Sequence, residues 1–244
     1  MNNNKNKNNG NNNRHHKRTK RQQYQQNYNM NDRTASTNNG PNTSQVHVGK
    51  MLSAMQEMEE HMRSVGMTQT ANDLKGNIQK ANRLYKSAPA ETRDSLPDLL
   101  KWEVETGIHG ERKSEHEPLR VKNHSGAMGL FWIAHNVEYQ NDLYRQMLDE
   151  DKTPLEAAHS AFEHTLEPHM EWATKKVARA AIPRMVPATK DEFFSALSGY
   201  PDTESYGPTE HEVVSRDVHQ ILDVWEPIVD DWKQTFDQLQ LTDI

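Results

Sequence analysis

The stretch that decides the fold reads DLKGNIQKANRLY and covers residues 73–85. Its apolar residues recur every three or four positions, at Leu74, Ile78, Ala81 and Tyr85. This spacing places one apolar stripe along an α-helix, and we expect the stripe to pack inward. Asp73, Asn77 and Lys80 stand at positions i, i+4 and i+7, so they form a polar row along the edge of that stripe. The sequence therefore predicts an amphipathic helix that carries one polar row.

The same helical period continues on both sides of this stretch, from Val46 onward. Residues 127–137 are nearly all apolar and predict a central buried helix, and further helices are predicted over 155–166, 172–182, 190–197 and 213–241. Thr153 before Pro154 is typical of a helix start. Other prolines indicate breaks, Pro183 among them, and Pro227 predicts a kink in the last helix. No window alternates as a strand does, so we predict an all-α domain of seven or eight helices.

Residues 1–44 differ sharply in composition from the rest of the chain. They hold 15 Asn, four Gln and eight Lys and Arg residues against a single acidic residue, Asp32, which gives a net charge of +7. Such a segment cannot bury enough apolar surface to offset its ordering entropy, so we predict a disordered tail. Its basic cluster at 15–21 is compatible with a nuclear address, an RNA or membrane contact, a transit segment, or no specific role. Because the net charge of the whole chain is −6, the predicted domain, residues 45–244, carries a net charge of −13.

Missing residues and motifs disfavour several classes of function. No run reaches the ~18 apolar residues of a membrane span, and the absence of cysteine excludes disulfides and thiolate chemistry. The sequence Glu156-Ala-Ala-His159 is a single Glu-x-x-His pair, whereas a di-iron site needs two. His159, His164 and His169 stand five residues apart, so a helix would turn them away from one another. We therefore expect no catalytic residue, no metal and no cofactor, in a cytoplasmic protein that is not an enzyme.

The polar row and the nearby tryptophan each allow two interpretations. A carboxylate, an amide and an ammonium in line offer acceptor, mixed and donor groups to a polyhydroxyl ligand. The alternative is an ordinary solvated helix face. Trp132 lies in the segment GLFWIAH, residues 129–135, and its alternative is a plain core tryptophan. Spacing alone does not decide between these readings.

Taken together, the two segments resemble the glycolipid transfer protein family. That family carries Asp-x-x-Gly-Asn-Ile-x-Lys on one helix, which is matched here by Asp73, Gly76, Asn77, Ile78 and Lys80. It next carries Leu-Leu-Trp-Leu, matched by Leu130, Phe131, Trp132 and Ile133. An Ala-aromatic-Glu helix leading to His and Trp corresponds to Ala161, Phe162, Glu163, His169 and Trp172, and the segment KDEFFSAL at 190–197 resembles the family's Phe-Leu-x-Ala-Leu helix. The likeness covers residues 46–244 in order.

The resemblance implies a two-layer helical sandwich that encloses a hydrophobic lipid pocket. Trp132 would be a platform under the first sugar ring, and Asp73, Asn77 and Lys80 would hydrogen-bond the sugar hydroxyls. Asp73 and His169 would also take the ceramide amide, through its N–H and its carbonyl respectively. Polar groups of the lipid would thereby gain partners on burial, as burial requires.

Two departures from the family pattern bear on these roles. The family has His-x-Trp, whereas this chain has His169-Met170-Glu171-Trp172, and ungapped counting from Phe162 would put Met170 at the histidine position. We assign the role to His169, with His164 as the spare, because a carbonyl needs a donor and Met has none. Relatives also carry Lys-Arg where this chain has Ala134-His135.

The resemblance further suggests which lipid is bound. A sister branch that binds ceramide-1-phosphate has basic residues where this chain has Asn77, Trp132 and Asn136, and the domain is acidic, so we expect a neutral glycosylceramide. The expected partners are this glycosphingolipid and, transiently, a membrane surface reached through Trp172, with Trp102 and Tyr200 as weaker candidates. We expect no nucleic acid on the domain. The alternatives are a ceramide-1-phosphate carrier, a sphingolipid sensor, and a nucleic-acid or scaffold protein that acts through the tail.

Overall fold

Eight α-helices make up most of the structure, a computed structural model that describes residues 47–64, 67–111, 117–198 and 208–242. The helices are α1 (Val48–Ser64), α2 (Thr68–Ser87), α3 (Leu96–Glu105), α4 (Gly126–Leu148), α5 (Pro154–Ala161), α6 (Trp172–Met185), α7 (Lys190–Ser198) and α8 (Pro208–Gln238). The predicted all-α class, with seven or eight helices, is confirmed for these residues.

Helix α4 is the central element and corresponds to the predicted buried helix. Residues 126–131 are all buried, and α4 packs against α2, α5 and α8. Ser125 caps its start, since the Ser125 hydroxyl accepts a hydrogen bond from the Met128 N–H at 3.1 Å. The prediction of a central buried helix from the apolar run at 127–137 is therefore confirmed.

Two glycines allow α4 to cross α2 at very short range. A Cβ atom on Gly126 would lie 2.1 Å from the Leu84 Cβ, and one on Gly129 would lie 2.5 Å from the Asn77 carbonyl oxygen. Going from residue 126 to residue 129 moves the contact from Leu84 back toward Asn77. The two helices therefore run antiparallel where they cross, and the crossing lies at the polar row.

A buried carboxylate anchors the first turn of α4. Glu103 on α3 is only 4% exposed, and its two oxygens accept the N–H groups of Gly126 and Ala127, each at 2.7 Å. The first N–H groups of a helix lack partners within the helix and carry partial positive charge, so a carboxylate satisfies both requirements. His109, also buried, lies 3.4 Å from the same carboxylate. The two hydrogen bonds to Glu103 fix where α4 begins relative to α3.

The buried side chains form two clusters. One joins α1, α2, α3, the first half of α4 and the end of α8, and the other joins the end of α4 with α5, α6, α7 and the start of α8. Helices α4 and α8 contribute to both clusters. These two long helices therefore connect the apolar interior along its length.

The predicted helix over 155–166 is correct only in its first half. Thr153 and Glu156 form a reciprocal capping box at the start of α5, but the α-helix ends at Ala161. A π-helical turn, Phe162–Leu166, and a 3-10 turn, Glu167–His169, follow. The Thr165 hydroxyl donates to the Ala161 carbonyl at 2.7 Å, so it competes for the acceptor that an α-helical N–H would use, and the chain takes wider bonds.

The predictions for two prolines and for the absence of strands have different outcomes. Pro183 does not end its helix, since α6 continues past it to Met185. Helix α8 continues through Pro227, and the kink there stays a prediction. A two-residue parallel pair, β1 (Leu119–Arg120) and β2 (Leu241–Thr242), has no counterpart in the predictions, since two residues show no alternation.

All of the described residues belong to one unit, Thr43–Ile244. The predicted tail over residues 1–44 lies outside the described part of the chain. Within that described part, no helix has both the length and the apolar character that a membrane span would need.

Candidate functional site

The polar row lies on α2 with the arrangement that its spacing predicts. Asp73 is more exposed to solvent than Asn77 and Lys80, which are half-buried, and the adjacent apolar stripe is buried. Partial burial raises the pKa of the Asp73 carboxyl above its ordinary value. Burial, and then the nearby charge of Arg83, lowers the pKa of the Lys80 ammonium. The row therefore presents a charged acceptor and a charged donor at the boundary between protein and solvent.

Lys80 is oriented by a residue that the sequence did not suggest. Its Nζ donates a hydrogen bond at 3.2 Å to Oδ1 of Asn123, in the loop that precedes α4. That loop is held in turn, because the Lys122 N–H donates to Nδ1 of the buried His109 at 3.3 Å. Nothing in local spacing could reveal a pair 43 residues apart. The contact brings Asn123 into the candidate site.

Trp132 lies on α4 one turn beyond the close crossing at Gly129. Because α2 and α4 are antiparallel there, this turn is level with the segment from Asp73 to Asn77. The Trp132 ring is half-buried and meets the Phe131 ring edge-on, with centroids 5.8 Å apart and planes at 88°. The helix crossing thus places Trp132 at the level of the polar row.

His169, its spare His164 and Met170, the residue that ungapped counting puts at the histidine position, are placed quite differently. His169, at the end of the 3-10 turn, has its ring 4.0 Å from that of His135 and 5.2 Å from that of Phe131, both on α4. Met170 packs against the second apolar cluster, and His164 is an exposed residue 3.2 Å from Asp142. Of the three, only His169 lies against the aromatic residues beside Trp132.

A hydrogen-bonded series of three residues lies next to His169 and was not predicted. Nδ1 of His135 lies 3.0 Å from the Glu138 carboxylate, and Lys233 on α8 donates to that carboxylate at 2.5 Å. Burial raises the pKa of the Glu138 carboxyl, but the hydrogen bonds from His135 and Lys233 outweigh it and hold that pKa below its ordinary value. The (i, i+3) spacing of His135 and Glu138 was a signal available in the sequence.

The candidates for membrane contact are also separated by the structure. Trp172, the first residue of α6, is 70% exposed, and the Lys176 ammonium lies 3.9 Å above its ring. Val177 on the same helix is equally exposed. Trp102 is half-buried against the first apolar cluster. Tyr200 lies outside the described residues.

Acidic and histidine side chains do not gather as metal ligands would. Among the residues that the structure describes, no three of them are grouped so that they could hold an ion. Glu156, from the single Glu-x-x-His pair, is hydrogen-bonded in the cap of α5. The candidate site therefore consists of hydrogen-bonding and aromatic side chains.

Comparison with known proteins identifies the family. Residues 46–199, more than half of the chain, match the glycolipid transfer protein family. This chain belongs to the glycolipid transfer protein family. Members of that family are lipid transfer proteins rather than enzymes. No curated protein sequence matches the chain.

Solved structures of the glycolipid transfer protein fold resemble this family member over most of their length. The fungal glycolipid transfer protein HET-C2 is 18% identical with a TM-score of 0.62, and the match covers 80% of this chain and 88% of that one. The GLTP-fold of FAPP2, described as selecting simple glycosphingolipids, is 19% identical with a TM-score of 0.65, covering 83% and 92%. Human ceramide-1-phosphate transfer protein, bound to its 12:0 lipid, is 13% identical with a TM-score of 0.63, covering 80% and 89%. The predicted fold of the family is thus confirmed.

Proposed function

We propose that this protein binds a single sphingolipid and transfers it between membranes, with a neutral glycosylceramide as its preferred cargo. One observation carries the proposal: helix α2, which bears the polar row, crosses α4 at Gly129, and Gly129 is one helical turn from the half-buried Trp132. A row of hydrogen-bonding groups beside an aromatic ring suits a sugar, which has hydroxyl edges and C–H faces. Family membership supports a lipid as the cargo.

Each side chain of the proposed site has a separate task. Asp73 accepts from a sugar hydroxyl and from the ceramide N–H, Asn77 both accepts and donates, and Lys80 donates. The Trp132 ring packs on the first sugar. His169 donates to the ceramide carbonyl. The arrangement gives the polar atoms of the lipid partners when they leave water.

Energetics assign affinity and selectivity to different parts of the lipid. Removing ~14 methylenes from water at ~0.8 kcal/mol each is worth on the order of 11 kcal/mol. Transfer of the same chains from a bilayer gains almost nothing, because the bilayer is equally apolar. Hydrocarbon burial thus retains the lipid in water without preventing its return to a membrane. Selectivity then depends on headgroup hydrogen bonds, each worth a net ~1 kcal/mol.

The uncharged side chains around the row support a neutral headgroup. The side chains of Asn77, Trp132 and Asn136 are uncharged, and the Asn136 amide is engaged by the Trp132 carbonyl at 2.8 Å. One observation favours an anionic headgroup instead: Arg83 lies close enough to Lys80 to lower its pKa. Ceramide-1-phosphate is therefore the second candidate cargo, since a phosphate could bind both cations.

The choice between the two cargoes is tested by transfer of labelled lipids between vesicles. We expect glucosyl- or galactosylceramide to move faster than ceramide-1-phosphate, and Arg83→Gln to leave glycolipid transfer unchanged. Preferential transfer of ceramide-1-phosphate, with a loss in Arg83→Gln, would reverse the assignment. Uptake of glycolipid without delivery to acceptor vesicles would indicate a sensor. The proposed place of action is the cytoplasm, because a chain without cysteine suits a reducing compartment.

Membrane contact is proposed to occur through Trp172. A tryptophan at 70% exposure beside Lys176 suits the headgroup level of a bilayer. We expect Trp172→Ala to weaken vesicle binding by about tenfold, the value of burying one large apolar side chain. Vesicles should also shift tryptophan emission of the unchanged protein to the blue, and not that of the variant.

The matched control for this prediction is Val224→Ala, which removes apolar surface from a residue 47% exposed on α8. It should bind vesicles as the unchanged protein does. Equal binding by Trp172→Ala would refute the assignment of this contact.

A further inference from the structure

His135 is a buried histidine that no step of the proposed function uses. It is 4% exposed on α4, one turn after Trp132. Its ring lies 4.0 Å from that of His169, with the planes 33° apart, and 4.3 Å from that of Phe131. The two imidazoles are therefore stacked, and the position of one limits the position of the other.

The His135 ring is itself held from two helices. A carboxylate with low pKa only accepts hydrogen bonds, so His135 Nδ1, 3.0 Å from Glu138, must carry the hydrogen. The other oxygen of Glu138 accepts from the Lys233 ammonium at 2.5 Å. This contact ties α4 to α8 and fixes both the tautomer and the rotation of the ring. His135 is thus a rigid surface against which His169 rests.

His169 needs such a support because its own backbone is irregular. It follows a π-helical turn and ends a 3-10 turn, so no long helix sets the direction of its side chain. A hydrogen bond to a carbonyl depends on that direction, since the bond weakens steeply when it is misaligned. A stacking partner supplies the orientation that the backbone does not.

We propose that His135, held by Glu138 and Lys233, is a positioning residue that sets the orientation of the His169 imidazole toward the lipid amide. The proposal rests on the proposed function of His169. His135 acts through His169 and has no lipid contact of its own. On the His135 side of the pair, Glu138 on α4 contacts the ring and Lys233 on α8 contacts Glu138, while the neighbouring Phe131 and Phe236 rings carry no charge.

The pH profile of lipid binding is a readout that a merely structural role of His135 would not change. Histidine is the side chain whose ordinary charge change lies between pH 5 and pH 8. Like charges repel, and the two imidazole rings lie 4.0 Å apart. His135→Phe leaves a single imidazole in this pair, so we expect its pH profile to be flatter than that of the unchanged protein.

The experiment measures equilibrium binding of glucosylceramide from pH 8 to pH 5 by the full chain and four variants, one of which is His169→Ala. His135→Phe keeps the ring contacts but loses the bond to Glu138, and Glu138→Gln breaks the ionic link while keeping its shape. Each should bind about fivefold more weakly at pH 7, which corresponds to one net hydrogen bond. The matched control His219→Phe, a surface histidine 3.4 Å from Asp149, should bind normally with an unchanged pH profile.

Two results would count against the inference in different ways. If His169→Ala loses binding while His135→Phe and Glu138→Gln keep wild-type affinity and pH profile, the positioning role is refuted and the proposed function stands. If the unchanged protein takes up no sphingolipid at all, the proposed function fails, and the positioning role with it. Should His135→Phe not fold, Glu138→Gln alone decides, because that side chain is 26% exposed and the change is isosteric.

Discussion

Asp73→Val and Trp132→Ala should each reduce glycolipid transfer by at least tenfold while the protein stays folded and helical. Asp73 is proposed to accept hydrogen bonds from a sugar hydroxyl and from the ceramide N–H. Valine leaves both donors without partners, and each unsatisfied buried polar group costs ~1–3 kcal/mol, so the two together cost at least ~2 kcal/mol, which is more than tenfold in affinity. Alanine at 132 removes the proposed platform under the sugar.

Asp73→Val should lower the stability of the protein much less than it lowers lipid transfer. Asp73 is exposed, so its replacement leaves the apolar stripe of α2 intact. The matched control is Lys75→Ala, an exposed position on the same helix that points away from the polar row. Transfer and thermal unfolding are measured for all three proteins. Normal transfer by either site variant would remove that residue from the proposed site.

Gly129→Ala should destabilise the protein by about 3 kcal/mol, as expected for overpacking against groups that cannot move aside. The added Cβ would lie 2.5 Å from the Asn77 carbonyl oxygen and 2.9 Å from the Ala81 nitrogen, both of which are backbone atoms. Helices α2 and α4 would have to separate. The melting temperature should fall by about 10 °C, and transfer should fall with it, because Trp132 then moves relative to the polar row.

Gly76→Ala is the control for this effect, since a Cβ at Gly76 would meet nothing within 4 Å. Alanine is the better helix former, so this variant should gain about 0.5–1 kcal/mol. Calorimetry distinguishes the two changes by sign. If both glycine variants were equally stable, the short crossing of α2 and α4 would be contradicted.

Prediction from the sequence succeeded where a pattern repeats within a few residues. The spacing of Leu74, Ile78 and Ala81 predicted α2, and the long apolar run predicted α4, because a helical period is a local property. The start of α5 was readable from Thr153 for the same reason. The binding roles proposed for the polar row, Trp132 and His169 came from family resemblance and stay predictions.

Prediction failed where a side chain competes with the backbone or where distant segments meet. Thr165 diverts a carbonyl and turns the end of α5 into π and 3-10 turns, which carry His169 to α4 while Met170 packs elsewhere. Composition and periodicity are properties of many residues, so they do not reveal a single contact of this kind. The Glu103 cap of α4, 23 residues away, has no local signature either.

The sequence by itself determined that the chain is helical, that one helix carries a polar row, and which family the motifs resemble. These properties need only neighbours within two turns of a helix. The tertiary structure alone decided which groups meet that row: Gly129 lets α4 approach closely enough to bring Trp132 level with it, and Asn123 orients Lys80. It also set His135 against His169, because that stacking depends on a crossing of separate elements rather than on any spacing along the chain.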